Sequence, residues 1–217
     1  AAFERLGECT FARYDEAFLR RRLAEFDILV THLFCPITDA VLEHAARLAI
    51  AATPSTGTDH LDIPALHRRG IHVMTLNEDR AFIDDIAGTA EMAWMLILAT
   101  CRKFRFLMDR VQKEKSWVNT DIRGYELKGR TLGIVGYGRL GRKVARYGQA
   151  FGMRVLACDR DPGVFRGDTG VEAVPFDALL HQSDVISLHV KLNESSRDMI
   201  DAAAIGKMKP GVCLVNT

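Results

Sequence analysis

The sequence predicts an α/β protein built on parallel sheets, in two domains spanning residues 1–82 and 83–217. Three observations predict it. A strand, a glycine-rich turn, a basic amphipathic helix and a second strand ending on an acid follow one another between Thr131 and Asp159. Short apolar runs alternate with helical segments from Asp27 to Met74, punctuated by Gly, Pro and Asp. A long apolar helix, about residues 84–104, stands between the two blocks. Each parallel strand needs a crossover before the next, so this alternation is what a doubly wound sheet requires.

The elements of the first domain read in order. Ala1 to Gly7 looks like the end of a helix closed by a C-cap glycine, with the strand that normally precedes it missing. Asp27 to Thr31 is a strand. Asp39 stands as N-cap of a helix through His44, with Val41, Leu42 and Ala45 on one face. Leu48 to Ala52 is a second strand, running into the turn-rich loop Thr53 to His60. Asp62 before Pro64 is an N-cap and early-helix pairing, and that helix ends at Gly70. Ile71 to Met74 is a further strand.

The second domain opens with the long helix, which begins at Asp84 and Asp85. From Ala90 to Thr100 it is apolar nearly all round, so it must be buried on most sides, within one subunit or against a second one. The basic residues Arg102, Lys103, Arg105, Arg110, Lys113 and Lys115 read as a solvated face and linker.

The unit that follows carries chemistry. Thr131 to Val135 is a buried strand and leads into Gly136-Tyr137-Gly138-Arg139-Leu140-Gly141. Val144, Tyr147 and Phe151 then recur at helical spacing. Arg154 to Cys158 is a strand ending on Asp159, 18 positions after Gly141. This order is a dinucleotide-binding signal of the Rossmann type. Gly136 permits the tight turn, Gly138 lets a pyrophosphate approach the backbone, and Gly141 lets the helix pack close to the strand. The helix N-terminus offers free N–H groups and partial positive charge to phosphates. Asp159 is placed to accept hydrogen bonds from ribose hydroxyls. A 2′-phosphate would bring about −1.5 to −2 charges beside it, which favours NAD over NADP. Arg160 next door pulls the other way, since a guanidinium welcomes phosphate. A glycine-rich turn in another parallel sheet, one binding S-adenosylmethionine for example, is the alternative.

Composition excludes other classes. Net charge is +1, split as −3 over residues 1–82 and +4 over 83–217, too mild for a nucleic-acid or membrane surface. The longest apolar stretch, Met92 to Cys101, is too short to span a bilayer. Cys9, Cys35, Cys101, Cys158 and Cys213 have no paired spacing and read as reduced thiols of a cytoplasmic protein. The histidines have no metal-ligand spacing, and no nucleophilic triad stands out. His60 reads as structural rather than catalytic. The run Val212 to Thr217 is a buried strand that stops where a functional loop is expected, so both ends read as those of a fragment.

Several ordered motifs resemble one family. They are Ser55-Thr56-Gly57-Thr58-Asp59-His60-Leu61-Asp62, Gly88-Thr89-Ala90-Glu91, and Glu126-Leu127-Lys128-Gly129-Arg130-Thr131 continuing into the glycine turn. Ser187-Leu188-His189-Val190 and Met208-Lys209-Pro210-Gly211-Val212-Cys213-Leu214-Val215-Asn216-Thr217 complete the set. Together they resemble the D-isomer-specific 2-hydroxyacid dehydrogenases, closest to the D-3-phosphoglycerate dehydrogenase-like branch. The resemblance covers nearly the whole chain.

The resemblance implies a Rossmann-type domain for NAD and a smaller flavodoxin-like substrate domain. It places Gly136, Gly138, Gly141 and Asp159 in the NAD site, with the backbone of Arg139 and Leu140 facing the pyrophosphate. It places His189 and Val190 beside the adenosine half, Thr217 near the nicotinamide ribose and Thr89 close to the nicotinamide end. Lys191 stands where the family usually has proline, which puts the shape of that edge in doubt. Ser55, Thr56 and Gly57 match the loop whose backbone N–H groups hold the substrate carboxylate. A Ser/Thr/Gly-rich loop after a parallel strand suits a small anion on independent grounds.

The reaction implied is hydride transfer between NAD and the carbon of a 2-hydroxy or 2-oxo acid. In the family an arginine holds the carboxylate, a histidine moves the proton and a glutamate tunes that histidine. All three are expected beyond Thr217, so no catalytic residue is assigned within the chain and the chain alone is expected to be inactive. The resemblance also allows a non-enzymatic, corepressor-like NAD-binding regulator. The intact loop at Ser55 to Asp59 leans towards the enzyme. A homodimer built around residues 84–104 is the expected assembly.

Overall fold

Nine helices and eight strands follow one another among the described residues, 3–117 and 122–217, of the computed structural model. The chain divides into two compact units, residues 1–83 and 84–217. Each is an α/β layer arrangement with a wholly parallel sheet.

In the first unit α1 (Glu16–Arg22) is started by Asp15, whose carboxylate accepts from the Phe18 N–H at 2.7 Å. Strands β1 (Ile28–Val30), β2 (Ile50–Thr53) and β3 (His72–Thr75) lie in that order, with β2 central. Leu29 pairs with Ala51 and Ala51 with Val73. Between the strands run α2 (Asp39–Leu42) and α3 (Ile63–Arg68). Leu19, Leu23, Ile37, Val41, Leu42, Ala51 and Leu66 form one buried cluster. The expected Asp62 cap is present: its carboxylate accepts from the Ala65 N–H at 3.0 Å, with Pro64 in the first turn. Gly70 then turns the chain at φ 69°.

Two local expectations fail here. Asp39 is not an N-cap. Thr38 holds that position without a side-chain bond, and the Asp39 carboxylate instead pairs with Arg69 and, at 3.4 Å, with Arg68. Two guanidiniums outcompete a cap N–H for one carboxylate, and the helix stops at Leu42 rather than His44. In the opening segment the described part, Phe3–Arg5, is a single 3-10 turn, and Gly7 sits at φ 152°, not in the left-handed cap conformation. Residues 1 and 2 lie outside the described residues.

The long helix expected over 84–104 is three helices. The Asp79 carboxylate accepts from the Phe82 N–H at 2.9 Å and starts α4 (Arg80–Asp85), so Asp84 and Asp85 end a helix rather than begin one. Ile86 and Ala87 are unwound, and the Arg139 guanidinium donates to the freed Ile86 carbonyl at 2.7 Å. Helix α5 (Gly88–Cys101) follows. Lys103, left-handed at φ 55°, separates it from α6 (Phe104–Lys113), which occupies the expected linker. The solvated basic face is present, with Lys113 paired to Asp109 at 3.0 Å. Helix α5 is not buried all round either. Ala90, Ala93, Trp94, Ile97 and Cys101 face inward, while Met92 and Met95 are 49% and 52% exposed.

The second sheet has strand order β6 (Val171–Ala173), β5 (Arg154–Cys158), β4 (Thr131–Val135), β7 (Val185–Leu188), β8 (Cys213–Asn216). Every residue of β4 is buried, as a central parallel strand demands. Helices α5 and α7 (Arg139–Ala150) cover one face through Trp94, Ile97, Val144 and Ala145. Helices α8 (Phe176–Gln182) and α9 (Ala202–Gly206) cover the other through Leu179, Leu180 and Ala204. The chain moves outward to β5 and β6, then returns past β4 to β7. The strand order therefore reverses beside β4, and a crevice opens at the carboxyl ends of β4 and β7.

Candidate functional site

The crevice is built from the end of β4. Gly136 turns the chain at φ 92°, and its N–H donates to the Cys158 carbonyl at 2.9 Å. A Cβ on Gly136 would lie 2.7 Å from the His189 carbonyl oxygen. The next N–H, that of Tyr137, donates to Asp159 Oδ2 at 2.7 Å. The Tyr137 ring is buried, stacked on Phe165 with centroids 4.9 Å apart and covered by Arg142. On the other side the His189 N–H donates to the Val135 carbonyl at 2.7 Å. The turn is thus fastened to both neighbouring strands.

The three glycines have different surroundings. A Cβ at Gly141 would stand 2.2 Å from the Gly136 carbonyl oxygen, so only glycine lets α7 sit against the turn. A Cβ at Gly138 would meet nothing within 4 Å. Gly138 is the N-cap of twelve-residue α7 and offers no side-chain cap. Helix α7 begins beside this open position, and the first N–H groups of any helix stand outside its own hydrogen-bond ladder. Backbone donors, a helix dipole and room next to a glycine are what a pyrophosphate needs.

A cavity of about 460 Å³ extends from there. Gly136, Gly138, Asp159, His189 and Val190 line it together. Its size suits a small organic ligand. Asp159 stands at its edge with Oδ1 accepting from the Asp161 N–H at 3.0 Å. Arg139 and Leu140 flank it at the start of α7, and Gly141 lies buried beneath. Thr217 follows β8, where Asn216 pairs with Leu188, so it sits level with His189 at the strand ends. Thr89 lies in the first turn of α5. Neither threonine lines the cavity. Pro175, Phe176, Asn193 and Ser195, which no sequence motif marks, also line it.

In the first unit Ser55, Thr56 and Gly57 follow the central strand β2. The Ser55 hydroxyl is turned inward, donating to the Gly57 carbonyl at 2.7 Å and meeting Thr53 Oγ1 at 3.0 Å. His60, buried, adds its Nε2 to Thr53 Oγ1 at 3.1 Å, and burial pushes its imidazole below the usual range. Asn77 Nδ2 donates to the Thr56 carbonyl at 2.8 Å. The carbonyls are thereby satisfied. The backbone N–H groups of Ser55, Thr56, Gly57 and Thr58 meet no acceptor among the described residues. A cluster of outward donors at the end of a parallel strand suits a small anion.

His189 gives the site a pH signature. Its Nε2 lies 2.9 Å from Ser187 Oγ, its buried Nδ1 has no partner among the described residues, and burial pushes it down to about 4. The fold therefore prefers the neutral ring. Stability from this term is intact above the ordinary value of 6.5, is lost as pH falls from there towards about 4, and levels off below. The full loss is about 3 kcal/mol. Urea unfolding across that window is expected to show it, and His189→Asn to remove it. An unchanged slope in the variant would place the proton elsewhere.

Comparison with known proteins gives the geometry a lineage. Residues 4–112 match the catalytic domain model of the D-isomer specific 2-hydroxyacid dehydrogenases, and residues 94–217 match the NAD binding domain model of the same family. A hydroxypyruvate reductase of Thermotoga maritima is 37% identical over 97% of this chain and 66% of its own length. A D-3-phosphoglycerate dehydrogenase of Archaeoglobus fulgidus is 35% identical over 91% of this chain and 37% of its own. The crystal structure of the D-lactate dehydrogenase of Aquifex aeolicus, solved with NAD and lactic acid, superposes with a TM-score of 0.77 at 33% identity, covering 91% of this chain and 58% of that one. The chain spans about three fifths of the length of most curated relatives it matches. On both family models and on the shared parallel-sheet architecture, the chain belongs to the D-isomer specific 2-hydroxyacid dehydrogenase family.

Proposed function

We propose that the chain forms the cofactor-binding unit and the carboxylate-binding loop of an NAD-dependent oxidoreductase acting on D-2-hydroxy acids and 2-oxo acids. The observation that carries it is the open Gly138 position at the N-terminus of α7. When bound, the nicotinamide carries the hydride. The residues of the chain bind and orient. Residues 84–217 hold the dinucleotide: the start of α7 takes the pyrophosphate, Asp159 the ribose, and His189 and Val190 the adenosine side. Thr89 and Thr217 serve the nicotinamide end. Burial favours the neutral form of the His189 ring there. Residues 1–83 supply the free N–H groups of Ser55, Thr56 and Gly57 to the substrate carboxylate, held outward by the Thr53–Ser55–His60 network.

The substrate is proposed at the level of the class. Relatives named for hydroxypyruvate and for phosphoglycerate stand at similar identity, so the phosphoglycerate-like branch is one proposal within it. All five cysteines are free thiols, which suits a reducing, cytoplasmic compartment. Among the described residues no helix is long and apolar enough to cross a membrane.

Fluorescence titration with NADH tests the cofactor reading. Gly138→Val is expected to abolish binding at a stability cost of about 1 kcal/mol, that of an apolar residue at an N-cap, since a Cβ there meets nothing within 4 Å. Gly141→Ala is expected to cost about 1–3 kcal/mol of stability, since its methyl meets the Gly136 carbonyl. Undiminished NADH affinity in Gly138→Val would reduce the glycines to a turn.

The partner we propose is a second copy of the chain, seated on the exposed face of α5 and α6. Met95, Phe104 and Phe106 there are 52%, 54% and 59% exposed, beside an apolar groove lined by Trp94, Leu98 and Phe151. Light scattering at micromolar concentration is expected to read a dimer, weakened by Met95→Arg. A monomer would mean that another element covers this face.

A further inference from the structure

Asp159 does not stand alone at the edge of the cavity. Arg160 and Lys191 line it too, one from the end of β5 and one from the loop after β7. Arg160 makes no ion pair among the described residues. Its Nη1 donates to the neutral Ser195 hydroxyl at 2.6 Å. Ser195 is fixed in turn, its hydroxyl and its N–H both donating to Asn193 Oδ1, at 2.7 and 3.0 Å. The Lys191 ammonium meets no acceptor among the described residues, and only its carbonyl is used, accepting from Ser196 Oγ at 2.6 Å. Both Asp159 oxygens already accept backbone N–H groups, from Tyr137 and Asp161. Asp161 is outside the lining, its own carboxylate accepting from the Gly163 N–H at 2.8 Å. The cavity edge therefore carries one backbone-bonded acid and two cations without an acidic partner.

We propose that Arg160, Lys191 and Ser195 form a phosphate subsite beside Asp159, so that the chain takes the 2′-phosphorylated dinucleotide NADPH as well as NADH. The proposal rests on the reading of this cavity as the adenosine end of the cofactor site. A carboxylate by itself repels a 2′-phosphate of about −1.5 to −2 charges. Two flanking cations reverse the sign of the local field. Arg160 exchanges a hydroxyl for phosphate oxygens, replacing a neutral acceptor with a charged one, and its planar fork suits two of them at once. Lys191 adds a second point charge to the same lining. With NADH the guanidinium stays on Ser195 and Asp159 remains available to the ribose hydroxyls.

Equilibrium titration of the chain with NADH, NADPH, 5′-AMP and adenosine 2′,5′-bisphosphate reads the subsite by binding alone. NADH and NADPH are expected to bind within about tenfold of each other, and the bisphosphate more tightly than 5′-AMP. Arg160→Ala is expected to weaken NADPH about tenfold or more and NADH by a smaller factor, so their ratio shifts. Lys191→Ala shifts the ratio the same way, and added salt weakens NADPH more than NADH. NADH binding with NADPH more than about a hundredfold weaker would overturn the subsite and leave the cofactor reading standing. Equal losses for both dinucleotides in a folded Arg160→Ala protein would make Arg160 a loop tether and overturn it as well. Failure of both dinucleotides to bind the folded chain would overturn the cofactor reading and the subsite with it.

Discussion

The hydrogen bond from the Tyr137 N–H to the Asp159 carboxylate, 2.7 Å long, is the interaction on which the second unit's site depends. It joins the turn after β4 to the end of β5. The Gly136 N–H to Cys158 carbonyl bond reinforces it, and the His189 N–H to Val135 carbonyl bond fastens the other side. Three adjacent strand ends are thus held at one level. Only then can α7 leave the turn close enough to lie against the Gly136 carbonyl, which is why Gly141 has no room for a methyl. The same closeness brings the N-terminus of α7 to the cavity. A charge-assisted backbone bond of this kind contributes about 1.5–3 kcal/mol, enough to fix a glycine-rich turn that would otherwise be mobile.

The first unit solves a related problem differently. There the donors are loop N–H groups after β2, and what fixes them is a chain of side chains. His60 reaches Thr53, Thr53 reaches Ser55, and Ser55 reaches the Gly57 carbonyl. Each bond consumes an acceptor or a hydroxyl and leaves the N–H groups outward. His60 is buried, which pushes its imidazole below the usual range, and its Nε2 is spent on Thr53 in holding the loop.

Much of this was legible in the sequence because the strongest signals are backbone requirements. Gly136 needs positive φ, Gly141 needs the absence of a side chain, and β4 needs a continuous apolar run, so the turn and its strands stand where the pattern put them. Asp62 and Pro64 announced α3 for a similarly local reason. Expectations failed where a side chain had a rival partner. Asp39 left its cap for Arg68 and Arg69, and Asp79, not Asp84, began the helix before α5. Apolar composition around α5 could not distinguish a helix buried by its own chain from one that leaves Met92 and Met95 outward. Short α9 carries a local signal of the same kind, Asp201 accepting from the Ala204 N–H at 2.7 Å. The wall formed by Pro175, Asn193 and Ser195 had none, since it depends on how the turn before α8 and the loop after β7 meet at the cavity.

A crystal structure of the chain grown with NADH tests the central claim most directly. The account predicts the pyrophosphate over Gly138, hydrogen-bonded by the first N–H groups of α7, with the adenosine ribose at Asp159 and the Tyr137 to Asp159 bond intact. A dinucleotide found elsewhere, or a glycine turn rearranged so that Asp159 no longer holds the Tyr137 N–H, would contradict it.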